Sequence, residues 1–460
     1  MLTSTHLIFI ILTLLLVTMA GIYSMKLVQS SSDFAIGGRT VGTSILVGTI
    51  AGTLIGGAST IGTAQLAFQY GMSAWWFTLG AGISSIILGL FLAKPLRESG
   101  VTTGPEFLGL VYGSQTQVLA SISSSVGIFL NIVGQVLSAV ALLTSMFGIN
   151  PFLAALIAVV LIISYVIFGG VWGTGYVGLL KLTLIYVSLS ITGILAYFLG
   201  GGITGFKASF PVFPWFSLFG RGASTDLATG FSLLVGVIST QTYLQAILSG
   251  RNIHISRKGA IISGLIVPPV GIASILVGLY MRANFPHINA KEALPLFVLN
   301  FLPDWLGGII LATLLISIIG TGAGLVLGVS TMLTHDIYKR FIYPTATDRN
   351  VLTFSKLAII IVSAFTLIFV SNNINSVILK WSILSMGLRG ASIFFPLLYA
   401  IFFRDFVEPS TGMLAVTLGP LSSILWAFFG SQNIDPLYPG LLISFLILTF
   451  GSYFKKTLLS

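Results

Sequence analysis

The stretch "AGTLIGGAST", residues 51–60, decides the fold, because it interrupts an apolar segment near its middle. Three glycines and the hydroxyl residues Thr53, Ser59 and Thr60 weaken helical geometry there. In a bilayer, unwound backbone is tolerated only where it is buried in protein or lines a cavity. Two interpretations follow: a broken helix whose freed carbonyls hold a cation, or close helix packing through small residues.

The composition is that of a membrane protein. Of the 460 residues, 55% are hydrophobic and 7% are charged, and the mean hydropathy is +1.04. Soluble domains carry about 25% charged residues, and apolar runs of about 20 residues, long enough to cross a bilayer, recur from end to end of this chain. The chain has no cysteine, which excludes disulfides and thiolate chemistry. We therefore predict an all-α polytopic membrane protein, a single transmembrane domain over residues 1–460.

The apolar runs predict about thirteen transmembrane helices, joined by loops too short for a soluble domain. The first, residues 5–25, is interpreted as a retained extra helix because no basic segment precedes it, as one would in a signal peptide. The longest loop, roughly residues 200–225, is expected to pack over the outer mouth. The other predicted spans are 41–68, 73–94, 116–147, 151–169, 175–199, 226–249, 259–284, 305–336, 350–371, 375–403, 410–430 and 437–454.

The basic residues predict the orientation, because cytoplasmic loops carry an excess of Lys and Arg. With the N-terminus outside, thirteen basic residues fall inside and four outside. The inner ones are Lys26, Arg39, Lys94, Arg97, Arg251, Arg257, Lys258, Lys339, Arg340, Arg349, Arg404, Lys455 and Lys456; the outer ones are Lys207, Arg221, Arg282 and Lys291. We expect a multi-pass cell-membrane protein with a cytoplasmic C-terminus. This bias also explains the net charge of +10 better than nucleic-acid binding does. All eleven acids are expected at helix ends or in loops.

A second span is interrupted in the same way. "TGFSLLVGVISTQTYLQ", residues 229–245, contains two glycines and the polar run 239–242. Two interrupted helices at corresponding places in two halves indicate inverted repeats of the kind found in secondary transporters. We therefore predict five helices over 41–199 and five over 226–403, with one extra helix before them and two after them, over 410–454.

Three motifs resemble the sodium:solute symporter family. "DFAIGGRTVG" (33–42) resembles the entry to that family's first core helix, "STIGTAQLAFQYGMSAWW" (59–76) resembles the rest of that helix and its turn, and "STMLTHDIYKRF" (330–341) resembles the end of its eighth core helix. The resemblance covers nearly the whole chain. It implies the LeuT-type inverted-repeat fold, alternating access, and uptake of a small organic solute with sodium and without a further cofactor.

The resemblance also implies a sodium site between the first break and the eighth core helix. Its ligands would be the carbonyls of Gly52, Ile55 and Ser317 and the hydroxyl of Thr321. The family usually has a hydroxyl residue where this chain has Gly320, so one ligand is missing.

The fifth core helix departs from the family's pattern as well. In "GGVWGTGYVGLLK" (169–181), Gly178 replaces an Asp and Lys181 replaces a Gln. Lys181 is expected about 9 Å from the cytoplasmic end of the fifth core helix, at a rise of 1.5 Å per residue. There its ammonium would reach the carbonyls of Gly52 and Ile55 and the hydroxyl of Thr321. Because a buried lysine can release its proton, protons are an alternative coupling ion to sodium. A lysine that snorkels to the inner headgroups, with sodium still bound, is the other interpretation.

Arg389 falls near the middle of the tenth core helix, where a cation is costly. No carboxylate is predicted at that depth, which favours recognition of an anionic solute, a small carboxylate, through the planar guanidinium. The alternative is that Arg389 caps the carbonyls of a broken helix. Lys380, nearer the outer surface, is expected to snorkel.

Further polar residues are candidates for the solute site. The resemblance implies gating or solute contacts at Tyr243 and Gln245, and Ser59 is a plausible cavity residue. Asn131 and Gln135 either line the same cavity or only join helices.

Two other classes of function are less consistent with the sequence. A membrane enzyme would need paired acids, a histidine cluster or an activated nucleophile at membrane depth. None is visible, and the histidines are too scattered for a transition-metal site, at His6, His254, His287 and His335. A transport-like sensor would need a signalling partner, and nothing of that size follows Ser460. The expected partners are a small solute, Na⁺ or H⁺, and the lipid bilayer.

Overall fold

A computed structural model describes residues 2–167, 169–373, 378–431 and 434–459. Within these ranges the chain is helical, and the extended pairing consists of an isolated bridge between Val41 and Gly250. The principal helices are α1 Ser4–Met25, α2 Thr43–Leu54, α3 Thr63–Tyr70, α4 Trp76–Ile87, α5 Gly104–Tyr112, α6 Ser114–Phe147, α7 Pro151–Val166, α8 Gly170–Leu199, α9 Ala223–Ile238, α10 Gln241–Ser249, α11 Ile253–Asn284, α12 Ala293–Phe301, α13 Asp304–Met332, α14 Asp348–Ser371, α15 Ile378–Phe402, α16 Pro409–Phe429 and α17 Leu437–Leu459.

In the described ranges, nine helices are long and apolar enough to span a membrane, or ten if the bent pair α9 and α10 is counted as one span. Three shorter apolar helices, Thr43–Leu54, Pro151–Val166 and Leu437–Gly451, accompany them. The all-α membrane fold predicted from the composition is confirmed. The count of thirteen crossings stays a prediction.

The first predicted break is present in the structure. Helix α2 ends at Leu54, and Ile55 leaves helical geometry with φ −88° and ψ 88°. The chain resumes in one π-helical turn, Ala58–Gly62, that leads into α3. Side-chain hydroxyls cover two of the carbonyls at the break: Ser59 donates to Leu54 O at 2.6 Å and Thr60 to Gly56 O at 3.1 Å.

Small residues also pack closely beside this break. A Cβ at Gly52 would lie 2.8 Å from the Cα of Gly178, and a Cβ at Gly178 would meet the carbonyl oxygen of Gly48. Helices α2 and α8 therefore approach each other backbone to backbone. The stretch combines features of both interpretations: the helix packs through its glycines up to residue 52 and then breaks. Whether the freed carbonyls hold a cation stays a prediction.

The second break is present as well. Helix α9 ends at Ile238, α10 begins at Gln241, and the two axes differ by 49°. The hydroxyl of Thr240 donates to Gly236 O across the break. The assignment of residues 41–199 and 226–403 to two inverted repeats stays a prediction.

The predicted outer loop folds against the helices. It contains two short helices, Gly202–Ser209 and Val212–Trp215. The indole of Trp76 donates to Leu218 O at 2.7 Å, and the guanidinium of Arg282 lies over the rings of Phe68 and Trp215, at 5.3 and 5.9 Å from their centroids. These contacts fasten the segment to α4 and to the ends of α3 and α11.

The opposite end of the bundle is called the basic end here, for its residues Arg39, Arg97, Arg251, Lys339 and Arg340. Arg97 donates to Gly250 O at 2.6 Å, and Arg39 donates to Val101 O at 3.0 Å. At this end α13 continues through Leu333–Ile342, a π-helical segment longer than the span predicted over 305–336.

The expectation that all acids lie at helix ends or in loops is wrong for Asp336, which is fully buried within that continued helix. Asp226, at the start of α9, is also fully buried and is paired with Arg221 at 2.7 Å. Helix α5, which apolar runs did not predict because its nine residues are too short to span a membrane, packs beside Asp336.

Candidate cation and solute sites

Lys181 is fully buried in α8, and its ammonium bridges three helices. The Nζ atom donates to the carbonyl oxygen of Gly52, to the carbonyl oxygen of Ser317 at 2.7 Å and to the hydroxyl of Thr321 at 3.2 Å. An ammonium has three hydrogens, so each of these oxygens is matched by one N–H. Gly52 belongs to α2 and the other two residues to α13.

Of the four residues expected to hold sodium, the structure brings Gly52, Ser317 and Thr321 around the ammonium. The Ile55 carbonyl instead accepts from the Ser317 hydroxyl at 2.7 Å. The expected contact between Lys181 and Ile55 is therefore replaced by one with the Ser317 carbonyl. The reason is the packing of α13 against the break: it places the hydroxyl of Ser317, one turn before Thr321, on the freed Ile55 carbonyl.

The positions that depart from the family's pattern lie around Lys181. A Cβ at Gly320 would lie 3.3 Å from Cδ of Lys181, a tight contact, and 3.5 Å from Nζ, an ordinary one. A side chain at residue 178 would be driven into the Gly48 carbonyl. Gly178 therefore allows the close approach of α8 to α2, and Gly320 leaves space next to the lysine side chain.

The oxygens around Lys181 are neutral carbonyl and hydroxyl groups. Among the described residues, no Asp or Glu forms an ion pair with Lys181. Oxygen ligands of this kind also suit a hard cation such as sodium. The donor set therefore fits sodium in kind, but the ammonium and a sodium ion cannot use the same three oxygens together.

A small cavity lies beside the ammonium. Its volume is about 10 Å³, measured as the space open to the centre of a water molecule, and it is lined by Tyr165, Thr174, Val177 and Lys181 with the three glycines 52, 178 and 320 and with Ala323. A space of this size is about that of one water molecule, and its lining is mainly apolar apart from Tyr165, Thr174 and Lys181. Thr174 and Val177 lie toward the basic end from Lys181, so the cavity extends to that side of the amine.

Arg389 is the second buried cation, with 3% of its surface exposed. Its Nε and Nη1 atoms are buried and have no hydrogen-bond partner among the described residues. A Cβ at Gly236 would lie 3.4 Å from Nη2, and a Cβ at Gly127 would lie 3.0 Å from the backbone nitrogen of Arg389. The guanidinium therefore lies against α9 close to the second break, while its backbone packs on α6.

The other candidate solute residues divide into two groups. Ser59 and Gln245 are engaged within the protein: Ser59 donates to Leu54 O, and Gln245 donates to Ala35 O and to the Thr331 hydroxyl, the latter at 3.1 Å. Tyr243 is buried and interacts electrostatically with Arg389. The structure brings Tyr243, but not Ser59 or Gln245, to Arg389.

Gln135 faces the first break. Its Oε1 atom is buried and has no hydrogen-bond partner among the described residues, and a Cβ at Gly56 would lie 3.1 Å from it. Lys380, expected to snorkel, has a side chain outside the described part of the structure. No group of three or more His, Asp or Glu residues that could hold a metal occurs in the described part.

The chain is similar in sequence to known membrane transporters. The model of the sodium:solute symporter family matches residues 34–415. The chain is 23% identical to the high-affinity proline transporter PutP of Bacillus subtilis over 453 residues, 94% of each protein. It is 24% identical to the high-affinity choline transporter 1 of Caenorhabditis elegans over 355 residues, which cover 72% of this chain and 61% of that transporter.

A solved structure supports the same fold. It is a substrate-bound, outward-open state of a Na⁺-coupled sialic acid symporter, with a TM-score of 0.86 and 17% identity, and the match covers 99% of this chain and 98% of the other. Because the family model covers most of the sequence, the membership is clear: the chain belongs to the sodium:solute symporter family.

Proposed function

We propose that the protein is a secondary active symporter that takes up a small organic carboxylate by alternating access. It would lie in the cell membrane with its N-terminus outside and its C-terminus in the cytoplasm. The observation that carries the proposal is the pair of buried cations: Lys181 among the oxygens of the implied sodium site, and Arg389 beside the second break, whose Nε and Nη1 atoms have no hydrogen-bond partner in the described part of the chain.

The Lys181 ammonium would take the place of the sodium ion, with a proton as the coupling ion. In the charged form its three N–H groups join α8 to α2 and α13. When the proton leaves, the neutral amine has two N–H groups, so one of the three oxygens loses its donor. Loss of that link would weaken the connection of the first broken helix to α13, which then rests on the direct hydrogen bonds from Ser317 to Ile55 and from Thr321 to Thr53. This would tie proton release to a conformational change.

Sodium remains a second candidate for the coupling ion. The family takes its name from sodium, and the sialic acid symporter of the solved structure is Na⁺-coupled. Sodium binding at the same oxygens would require the Lys181 side chain to swing away. The three matched N–H contacts, and the space that Gly320 leaves next to the lysine side chain, favour the lysine over the ion.

The proposal that the solute carries a carboxylate rests on Arg389. A buried guanidinium without an acid partner is costly, and a solute carboxylate can supply both the charge and two parallel acceptors. Proline and sialic acid carry a carboxylate, whereas choline is a cation that Arg389 would repel. The alternative of capping a broken helix would engage the guanidinium with carbonyls, and the unpartnered Nε and Nη1 atoms argue against it.

Uptake into proteoliposomes tests the proposal. A panel of radiolabelled carboxylates that includes proline and sialic acid is offered with an imposed pH gradient or an imposed sodium gradient, to the wild type and to Lys181→Ala. We expect pH-driven uptake in the wild type that is lost in the variant, while solute exchange at equal pH on both sides survives. Sodium-driven, pH-indifferent uptake that survives Lys181→Ala would reject proton coupling, and tight saturable uptake of a neutral sugar would reject the carboxylate.

A further inference from the structure

A buried carboxylate at the basic end connects three helical segments. Asp336 is fully buried in the continuation of α13. Its Oδ1 atom accepts from the Thr103 hydroxyl and from Gln117 Nε2, both at 2.8 Å, and its Oδ2 atom accepts from the Ser121 hydroxyl at 3.0 Å. These four residues are called the Asp336 cluster below.

Side-chain hydrogen bonds satisfy the carboxyl oxygens of Asp336. In the part of the chain that the structure describes, no Lys, Arg or His forms an ion pair with Asp336. A buried carboxylate without a cation is tolerated only when its oxygens accept hydrogen bonds, and hydrogen bonds to a charged acceptor are the strong ones. The positions of Thr103, Gln117 and Ser121 are therefore coupled to one another through Asp336.

The cluster is linked to the second break. The Thr103 hydroxyl also accepts from the backbone N–H of Glu106 at 2.9 Å and so caps α5. The next residue, Gly104, donates its N–H at 2.9 Å to Oε1 of Gln241, the first residue of α10. Residues 103 and 104 thus connect Asp336 on one side to the start of α10 on the other.

Water reaches the edge of this arrangement. A vestibule of about 460 Å³, measured as the space open to the centre of a water molecule, opens at the basic end. Gln117 and Thr102 line it, together with His335 and Lys339. The Asp336 cluster lies between this vestibule and the second break.

We propose that Asp336 is a positioning residue for the gate at the basic end: it holds residues 103 and 104 against Gln241 and so stabilises the conformation in which α10 closes the path from the vestibule. The gate opens when the hydrogen bonds that link Asp336 to Gln241 through residues 103 and 104 break. The inference concerns the gate alone and holds whether the coupling ion is a proton or sodium.

Because the sequence contains no cysteine, a thiol-specific reagent can modify a single introduced cysteine without labelling any other residue of the chain. Ser239→Cys places that thiol in the second break, at a residue that is 1% exposed. Its rate of modification by a membrane-impermeant maleimide applied to the basic-end side then measures how often the gate opens.

In the Ser239→Cys background we compare Asp336→Asn and Ser121→Ala with Thr116→Val. Thr116 is buried one residue from Gln117 and donates to Tyr112 O at 3.2 Å, outside the cluster.

We expect modification to be about tenfold faster in Asp336→Asn and less strongly accelerated in Ser121→Ala, with no change in Thr116→Val, because loss of a hydrogen bond to a charged group shifts an equilibrium by that order. Unchanged rates in Asp336→Asn, or equal acceleration in Thr116→Val, would overturn the proposal. If Asp336→Asn does not fold, Ser121→Ala and Gln117→Ala decide the question, since each removes one donor. Unchanged rates in both would overturn it.

Discussion

The Nζ atom of Lys181 lies 2.7 Å from the carbonyl oxygen of Ser317, and the two residues belong to different helices, α8 and α13. The Ser317 side chain meanwhile holds the Ile55 carbonyl at the first break. One residue therefore joins the lysine to the unwound part of the first core helix. The state of the amine and the geometry of the break are linked through this pair of contacts.

Removal of Lys181 together with introduction of a hydroxyl at residue 320 should create a binding site for sodium, so that the melting temperature depends on sodium. In Lys181→Ala/Gly320→Ser, the space next to the Gly52, Ser317 and Thr321 oxygens becomes available, and the serine supplies a hydroxyl near them. Because sodium prefers oxygen ligands of this kind, we expect sodium to raise the melting temperature of the double variant in detergent, by mass action.

The matched controls are the two single variants and potassium in place of sodium. In Gly320→Ser alone Lys181 still occupies the three oxygens, so no sodium response is expected. A wild type that already responds to sodium as strongly as the double variant would contradict this account of the site.

The glycines of the first break are predicted to be essential for transport. In Gly56→Ala/Gly57→Ala, the new methyl at residue 56 would lie 2.6 Å from the Thr321 hydroxyl oxygen and the one at residue 57 would lie 3.1 Å from side-chain atoms of Ile318 and Ser138. Alanine also favours continuous helix. We expect normal membrane insertion, measured by expression and size-exclusion profile, and loss of solute uptake.

Gly62→Ala is the control for this pair. Its Cβ would have its nearest neighbour at 3.6 Å, an ordinary contact, and residue 62 lies beyond the break. It should transport like the wild type. Normal uptake by the Gly56→Ala/Gly57→Ala variant would show that the break has no part in transport.

The breaks were predictable because their causes are local. Clusters of Gly and Thr in an apolar run weaken a helix wherever it packs, and the position of Lys181 along α8 was sufficient to predict its contacts with Gly52 and Thr321. The partner of the ammonium was less predictable: whether Ile55 or Ser317 offers its carbonyl depends on where the Ser317 hydroxyl points, which is decided by the packing of α13 against the break.

Asp336 shows where reasoning from apolar runs fails. The motif that contains it, residues 330–341, was recognisable in the sequence. Its burial was not predictable, because the burial depends on two features that hydropathy does not report. One is the continuation of α13 through residue 342, and the other is α5, whose N-cap Thr103 supplies a donor. Only a three-dimensional arrangement brings Thr103, Gln117 and Ser121 to the same carboxylate.

Arg389→Lys should weaken solute binding although it keeps the charge. The lysine offers a point charge in place of the planar fork, so the paired hydrogen bonds to a carboxylate are lost. A hydrogen bond to a charged group is worth about 1.5–3 kcal/mol, so we expect Kd for a carboxylate solute to rise by about tenfold or more in an equilibrium binding assay.

Arg221→Lys is the control for this substitution. Arg221 pairs with Asp226 and donates to Thr229 at 3.1 Å at the start of α9, away from the second break. Its substitution should lower the melting temperature without changing Kd. An unchanged Kd in Arg389→Lys would remove Arg389 from the solute site.

The orientation can be tested with single cysteines, again without background because the sequence has none. Thr204 lies in the segment of short helices at one end of the bundle, and Thr345 lies in the loop between residues 342 and 348 at the basic end; both are exposed. Since basic loops remain in the cytoplasm, a membrane-impermeant maleimide should label Thr204→Cys in intact cells and Thr345→Cys only after permeabilisation. Labelling of Thr345→Cys in intact cells, with Thr204→Cys protected, would reverse the orientation and place the gate formed by Asp336 on the outer side.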